Sequence, residues 1–113
     1  MAKSIGDLDE LVALVGRGLP RAKPWQRLLA NQMIEVDRAL QVLRMTVVME
    51  RADAEILAAA EVLCAECRQT GAAVVGTRSN LTTKAAIRLI ADLANNIRRG
   101  LQMVLDDRKP NPP

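Results

Sequence analysis

The fold of this chain is decided by residues 25–70, which read WQRLLANQMIEVDRALQVLRMTVVMERADAEILAAAEVLCAECRQT and contain neither Gly nor Pro. Apolar residues recur here at alternating spacings of four and three, which is typical of one face of an amphipathic helix. The first apolar stripe is Leu29, Met33, Val36, Leu40, Leu43 and Val47. It fails at Glu50. A second stripe overlaps it and consists of Met45, Met49, Ala52, Ile56, Ala59, Leu63 and Cys67.

The overlap of the two stripes leaves two interpretations of residues 25–70 open. Either one continuous helix rotates its buried face near Glu50, or two helices meet near residues 51–53. The absence of a helix breaker favours one helix. The usual length of helices in globular proteins favours two.

The flanking segments complete a single helical domain over residues 1–113. We predict a short helix over 7–16 that Asp7 caps, followed by a basic linker over 17–24. A loop is predicted over 71–80, between Gly71 and a helix start capped by Asn80, Ser79 or Thr82. The last helix is predicted over 81–107 and is followed by a frayed tail over 108–113, which is rich in Pro. Its apolar face is Ala86, Ile90, Leu93, Ile97, Leu101 and Val104.

The composition indicates an all-α protein with an unusual core. The chain has no Phe, no Tyr and a single tryptophan, Trp25, so Leu, Ala, Val, Ile and Met must build the core. Aromatic side chains bury the largest areas, and a small domain without them has less apolar area to bury. We therefore expect a helical bundle or a long helical hairpin that is completed by homo-oligomerisation. The predicted interface between copies is Trp25, Leu29, Met33, Val36, Leu40, Leu43, Val47, Ile90, Leu93, Ile97 and Leu101.

The chain has no histidine, which removes the most common general base and the most common metal ligand. It also removes every nucleophile–histidine pair. No other catalytic constellation is recognisable, so we predict a protein that is not an enzyme and that needs no cofactor.

Cys64 and Cys67 form a C-x-x-C motif and are the two cysteines of the chain. A redox motif needs its first cysteine at a helix N-terminus, whereas this motif lies late in a helical segment. As a metal site it supplies two ligands, and a symmetric dimer would be needed to supply four. The simpler interpretation is that both residues are small buried hydrophobes.

Basic residues carry the only anion-binding signal. The net charge is +3, and the linker 17–24 holds bases but no acid. Residues 71–76 have the outline of a phosphate loop, but the required Lys is missing and no strand precedes it. A weaker possibility is an anion held at the start of the last helix. The candidate phosphate-binding residues are Arg17, Arg21, Lys23, Arg78, Lys84, Arg98 and Arg99.

Three hypotheses about function follow, in order of preference. The first is a small oligomeric interaction protein (an adaptor, chaperone or accessory subunit) that binds itself and another protein through apolar helix faces. The second is a nucleic-acid-associated protein that contacts phosphates through the Arg-rich linker and last helix. The third is a thiol-dependent metal or redox protein. No secretory signal and no transmembrane segment are recognisable, so a cytoplasmic protein without a membrane partner is expected.

Overall fold

The computed structural model describes residues 2–75, 77 and 80–108, which form four α-helices and, among those residues, no strand. Helix α1 is Ala2–Gly18, α2 is Pro24–Val48, α3 is Asp53–Val75 and α4 is Leu81–Arg108. The prediction of an all-α protein is confirmed.

Residues 25–70 form two helices, and a turn at Met49–Ala52 separates them. Glu50 adopts a left-handed backbone conformation with φ of 52°. The N–H of Glu50 donates to the carbonyl oxygen of Val47 at 3.2 Å. The N–H of Arg51 donates to the carbonyl oxygen of Thr46 at 3.0 Å. These two bonds are the helix-ending Schellman motif, in which a left-handed residue is normally Gly. Glu occupies that position here, so the sequence shows no breaker.

Three predicted boundaries were wrong. Helix α1 begins at Ala2, so Asp7 lies inside it and does not cap it, and the helix continues through Gly16 to Gly18. Helix α3 continues through Gly71 to Val75, although the loop was predicted from residue 71. A single Gly lowers helix stability by about 1 kcal/mol without ending the helix, and burial of Val74 offsets that loss. The linker therefore spans 19–23, and the tail over 109–113 lies outside the described residues.

The start of the last helix agrees with the prediction. Asn80 is the cap, because its side-chain Oδ1 accepts the N–H of Thr83 at 2.8 Å. Helix α4 passes through Gly100 without a break. Pro24 occupies the first turn of α2, and the side chain of Gln26 accepts the N–H of Lys23 at 2.9 Å.

The four helices form an antiparallel bundle with short connections. Helix α1 packs against α2 and α4, and α3 packs against the same two helices from the opposite corner. Every helix contributes to one buried core, with Leu8 from α1, Leu40 from α2, Leu63 from α3 and Ile90 from α4 all almost fully buried. Consequently α1 and α3 end, and α2 and α4 begin, at the same end of the bundle.

Candidate interaction surfaces

The predicted interface between copies lies inside the single chain. Most of its residues are buried in the core, namely Leu29, Met33, Val36, Leu40, Leu43, Ile90, Ile97 and Leu101. Trp25, Val47 and Leu93 are partly buried and pack against that core. Since the four helices of one chain cover this seam, a partner must use other residues.

The outer side of α2 carries exposed apolar residues that the sequence analysis assigned to the second stripe. Met45 and Met49 are 55% and 58% exposed, whereas Ile56, Leu63 and Cys67 of the same stripe are buried. The turn at Glu50 causes this difference, because it reverses the chain between Met49 and Ile56. With Ile34 and Val42, the two methionines form what we call the α2 ridge: Ile34, Val42, Met45 and Met49.

A shallow groove between α2 and α3 adjoins this ridge. Its floor is apolar and small, made of Ala39, Val42, Ala58, Ala59 and Val62. Its rim is charged and comprises Glu35, Arg38, Glu55 and Glu66. We call it the α2/α3 groove. An apolar floor inside a polar rim is the usual anatomy of a protein–protein contact.

Two ion pairs lie along the rim. Arg38 donates to Glu35 at 2.9 Å, and Arg51 donates to Glu55 at 2.9 Å. Each pair joins residues of one local segment and is about half exposed or more, so each contributes at most about 1 kcal/mol to stability. Such pairs exchange readily for pairs with a partner. The carboxylate of Glu66 has no ion-pair partner among the described residues.

A second groove lies between α3 and α4, near the end of the bundle where α4 begins. Small and apolar residues line it: Cys67, Gly71, Val74, Val75, Leu81, Ala85, Ile87 and Ala91. Its charged residues are all basic: Arg68, Lys84 and Arg88. Val75 and Leu81 are 76% and 84% exposed and extend the apolar surface of this groove. We call it the α3/α4 groove.

Acidic and basic residues are distributed unevenly along the length of the bundle. Residues 11–34 and 67–91 contain eight of the 16 Lys and Arg residues and none of the 13 Asp and Glu residues. Because the helices alternate in direction, the fold brings the described residues of both segments to one end of the bundle. Arg17 and Arg21 lie beside Ala30 and Met33 at that end, which places the basic linker there. The two acid-free segments were visible in the sequence, but only the topology brings them together.

The predicted phosphate-binding residues do not form one cluster. Arg17, Arg21 and Lys23 lie at the α1–α2 connection, where Arg27 joins them by donating to the carbonyl of Ala22 at 3.0 Å.

The remaining candidates lie elsewhere. Lys84 belongs to the α3/α4 groove. Arg98 and Arg99 lie about four turns further along α4, where they donate to Asn95 and Asn96 at 3.4 and 3.3 Å. Arg78 lies outside the described residues. The N–H of Thr83 at the start of α4 is already bonded to Asn80, so it is not free for an anion.

Both cysteines are buried in the core. The Cys64 thiol lies 3.5 Å from the carbonyl oxygen of Ala94, to which it donates. Burial raises the pKa of Cys64, and it raises the pKa of Cys67 to about 12, to which the neighbouring Cys64 and Glu66 also contribute. Protonated, buried thiols are poor nucleophiles and poor metal ligands. Among the described residues, no three Cys, Asp or Glu side chains are grouped as metal ligands would be.

No protein-family model matches the chain, and no curated protein or solved structure is significantly similar to it. None of the described helices combines the length and the hydrophobicity needed to cross a membrane. The two grooves, the α2 ridge and the distribution of charge are therefore the features that bear on function.

Proposed function

We propose that this chain is a small, non-enzymatic helical interaction protein that binds through the α2 ridge and the α2/α3 groove. One observation carries the proposal. The four helices of a single chain bury the core, whereas the apolar residues on the outer face of α2 and α3 stay exposed. Met45, Met49 and Val62 are all more than half exposed on that face. Exposed apolar surface with a charged rim is characteristic of binding sites.

The first partner that we propose is another copy of this chain. The rim of the α2/α3 groove contains both carboxylates and a guanidinium. The basic end of the molecule offers the opposite charge to its acidic side. A chain that carries complementary charges on separate surfaces has the means to bind itself, as an oligomeric adaptor or accessory subunit does.

The chemistry of the side chains supports binding over catalysis. The chain has no histidine, and its two thiols are buried with raised pKa values. The side chains of Glu35 and Glu55 are about half exposed and ion-paired, which is unlike the desolvated environment that tunes a catalytic acid or base. A cytoplasmic location remains part of this proposal.

The test is the mass of the chain in solution, measured by light scattering after size exclusion over a range of protein concentrations. We expect a dimer or larger species, and Met45→Asp should shift it towards monomer. Met103→Asp is the matched control, because Met103 is 69% exposed on α4, away from both grooves. A wild-type chain that is monomeric at every concentration would contradict self-binding. Equal effects of the two substitutions would contradict the choice of surface.

The basic end supports a second candidate function, binding to the phosphate backbone of a nucleic acid. Arg17, Arg21, Lys23 and Arg27 lie close together there, and Asp37 is beside Arg17 and Arg21. Affinity for a DNA duplex should then fall steeply as salt rises, and Arg21→Ala should weaken binding to all sequences alike. Arg99→Ala is the control. If the chain does not bind the duplex, or if its affinity does not change with salt concentration, this candidate function is refuted.

A further inference from the structure

We infer that the α3/α4 groove of one copy receives the α2 ridge and the adjoining acidic face of a second copy, so that the chains associate head to tail. This inference rests on the proposed function and names the surface that completes it. It follows from three features of the described residues: the sign of the charge on each surface, the shape of each surface and the lack of ion pairs in the α3/α4 groove.

The charges favour contact between different surfaces over contact between like surfaces. Together, the α2 ridge and the α2/α3 groove are lined by four acids, Glu35, Asp37, Glu55 and Glu66, and two bases, Arg38 and Arg51. Two copies joined through this same face would place net negative charge against net negative charge. The α3/α4 groove presents Arg68, Lys84 and Arg88 and no acid. Opposite charges steer association and fix its orientation, whereas like charges oppose it.

The shapes of the two surfaces are also complementary. The α2 ridge is a row of flexible or branched apolar side chains on the outside of one helix. The α3/α4 groove is lined by small residues, with Gly71, Ala85 and Ala91 leaving space between the two helices. A helix that lays its apolar side chains in a groove is a common mode of recognition. Methionines suit such a contact because their side chains adapt to irregular surfaces.

Among the described residues, the basic side chains of the α3/α4 groove have no ion-pair partner. Arg68, Lys84 and Arg88 form no ion pair with a described residue, whereas Arg38 and Arg51 on the α2/α3 side are paired. A docked second copy would bring Glu35, Glu55 and Glu66 close to these bases. The contact would thus bury apolar surface at its centre and form ion pairs at its rim.

A head-to-tail contact predicts how assembly depends on concentration. The two surfaces lie on different parts of the molecule, so one contact leaves one free ridge and one free groove. Such heterologous contacts give rings or open chains, whereas a contact between like surfaces stops at a dimer. The size of the assembly should therefore grow with concentration beyond a dimer or reach a closed ring, and it should fall as salt screens the rim.

The experiment uses charge reversal on each surface of the full chain. One variant carries Lys84→Glu and Arg88→Glu, and the other carries Glu55→Lys and Glu66→Lys. Each should associate roughly tenfold more weakly than the wild type, and an equimolar mixture of the two should recover association because opposite charges again meet. Arg99→Glu, an exposed reversal outside both grooves, is the control and should change nothing. Far-UV circular dichroism verifies that every variant is folded.

The outcomes separate this inference from the proposed function. Loss of association in both variants and recovery in the mixture would support head-to-tail binding. A wild-type dimer that tolerates the Lys84 and Arg88 reversals but dissociates with Met45→Asp would overturn the inference and leave the proposed function standing. A monomeric wild type would overturn both. If that monomer binds a DNA duplex through Lys84 and Arg88, the α3/α4 groove belongs to a polyanion instead.

Discussion

Raising the pH is expected to unfold this protein partly through Cys67. The thiol is 2% exposed, and burial raises its pKa from an ordinary 9.0 to about 12. The folded chain therefore keeps the proton on Cys67 at a pH where the unfolded chain has released it. The stability that depends on the neutral thiol is complete below pH 9 and is lost as the pH rises from about 9 towards 12.

The size of the effect follows from the two pKa values. One pH unit above the ordinary pKa of 9.0, the unfolded thiol is mostly ionised and the folded thiol is almost entirely neutral. Each unit between the two pKa values corresponds to about 1.4 kcal/mol, so Cys67 should lower the free energy of unfolding by about 1.4 kcal/mol at pH 10. Burial shifts the pKa of Cys64 in the same direction and adds to the loss.

The assay is urea denaturation followed by far-UV circular dichroism at pH 7, 8, 9 and 10, with a reductant present. Cys67→Ala lacks the titrating group and serves as the comparison, because Lys and Arg residues titrate equally in both proteins. The difference in free energy of unfolding between wild type and variant should shrink by about 1.4 kcal/mol between pH 8 and pH 10. The difference in free energy of unfolding between wild type and Cys64→Ala should also shrink as the pH rises, but by less than for Cys67→Ala.

Two results would refute this reasoning. A difference between wild type and Cys67→Ala that stays constant up to pH 10 would mean that the folded thiol ionises as freely as the unfolded one. Rapid reaction of both thiols with an aromatic disulfide in the folded protein at pH 8 would show that the folded thiols are accessible and ionise readily. Either result would revive the thiol-dependent metal or redox hypothesis, which needs accessible thiolates.

Three further substitutions test the fold, each by the midpoint of urea denaturation. Glu50→Gly should stabilise the protein by about 0.5–1 kcal/mol, because a left-handed backbone costs Glu about 1–2 kcal/mol and this exceeds the entropy cost of Gly. If the variant is no more stable than the wild type, the turn at Glu50 is not strained. Leu40→Ala should destabilise it by about 2–5 kcal/mol, since the side chain is fully buried; a loss under about 1 kcal/mol would indicate a loose core. Asn80→Ala should destabilise it by about 1 kcal/mol through loss of the cap on Thr83, and no change would show that the cap is dispensable.

Helical periodicity predicted the parts of the fold that depend on packing. The stripe from Leu29 to Leu43 is buried, and the last helix begins and ends within one residue of the predicted bounds. These segments are long and strictly periodic, so burial of one face determines their structure. The residues that begin and end the other helices are weaker signals: Gly71 predicts a helix end, yet α3 continues through it to Val75.

The turn at Glu50 was beyond prediction for a definite physical reason. A left-handed residue at a helix end is normally signalled by Gly, and here the chain uses Glu. The two overlapping stripes were the only trace of the turn. A rotation of the buried face and a change of helix produce the same pattern along the chain, so periodicity could not distinguish them.

The candidate surfaces were predicted less well than the fold. Periodicity identifies a face that must be covered, but it does not say whether the same chain or another covers it. From periodicity alone, the face around Leu40 is assigned to a partner, whereas in the structure α1 and α3 pack against α2 and this face is buried. The basic residues were recognised individually, yet Arg98 and Lys84 are separated on α4 and only the latter joins a basic groove.

One turn determines both the core and the distribution of charge. Reversal at Glu50 folds α3 back along α2, which covers the stripe around Leu40 and leaves Met45 and Met49 outside. The same reversal carries residues 67–75 back to the start of α2, beside the basic linker. In one continuous helix, those residues would lie far from that linker, and the acid-free segments would be separated. The antiparallel fold therefore creates, from a chain of modest net charge, one end that is mainly basic and one side that is rich in acids, which is the asymmetry that head-to-tail binding requires.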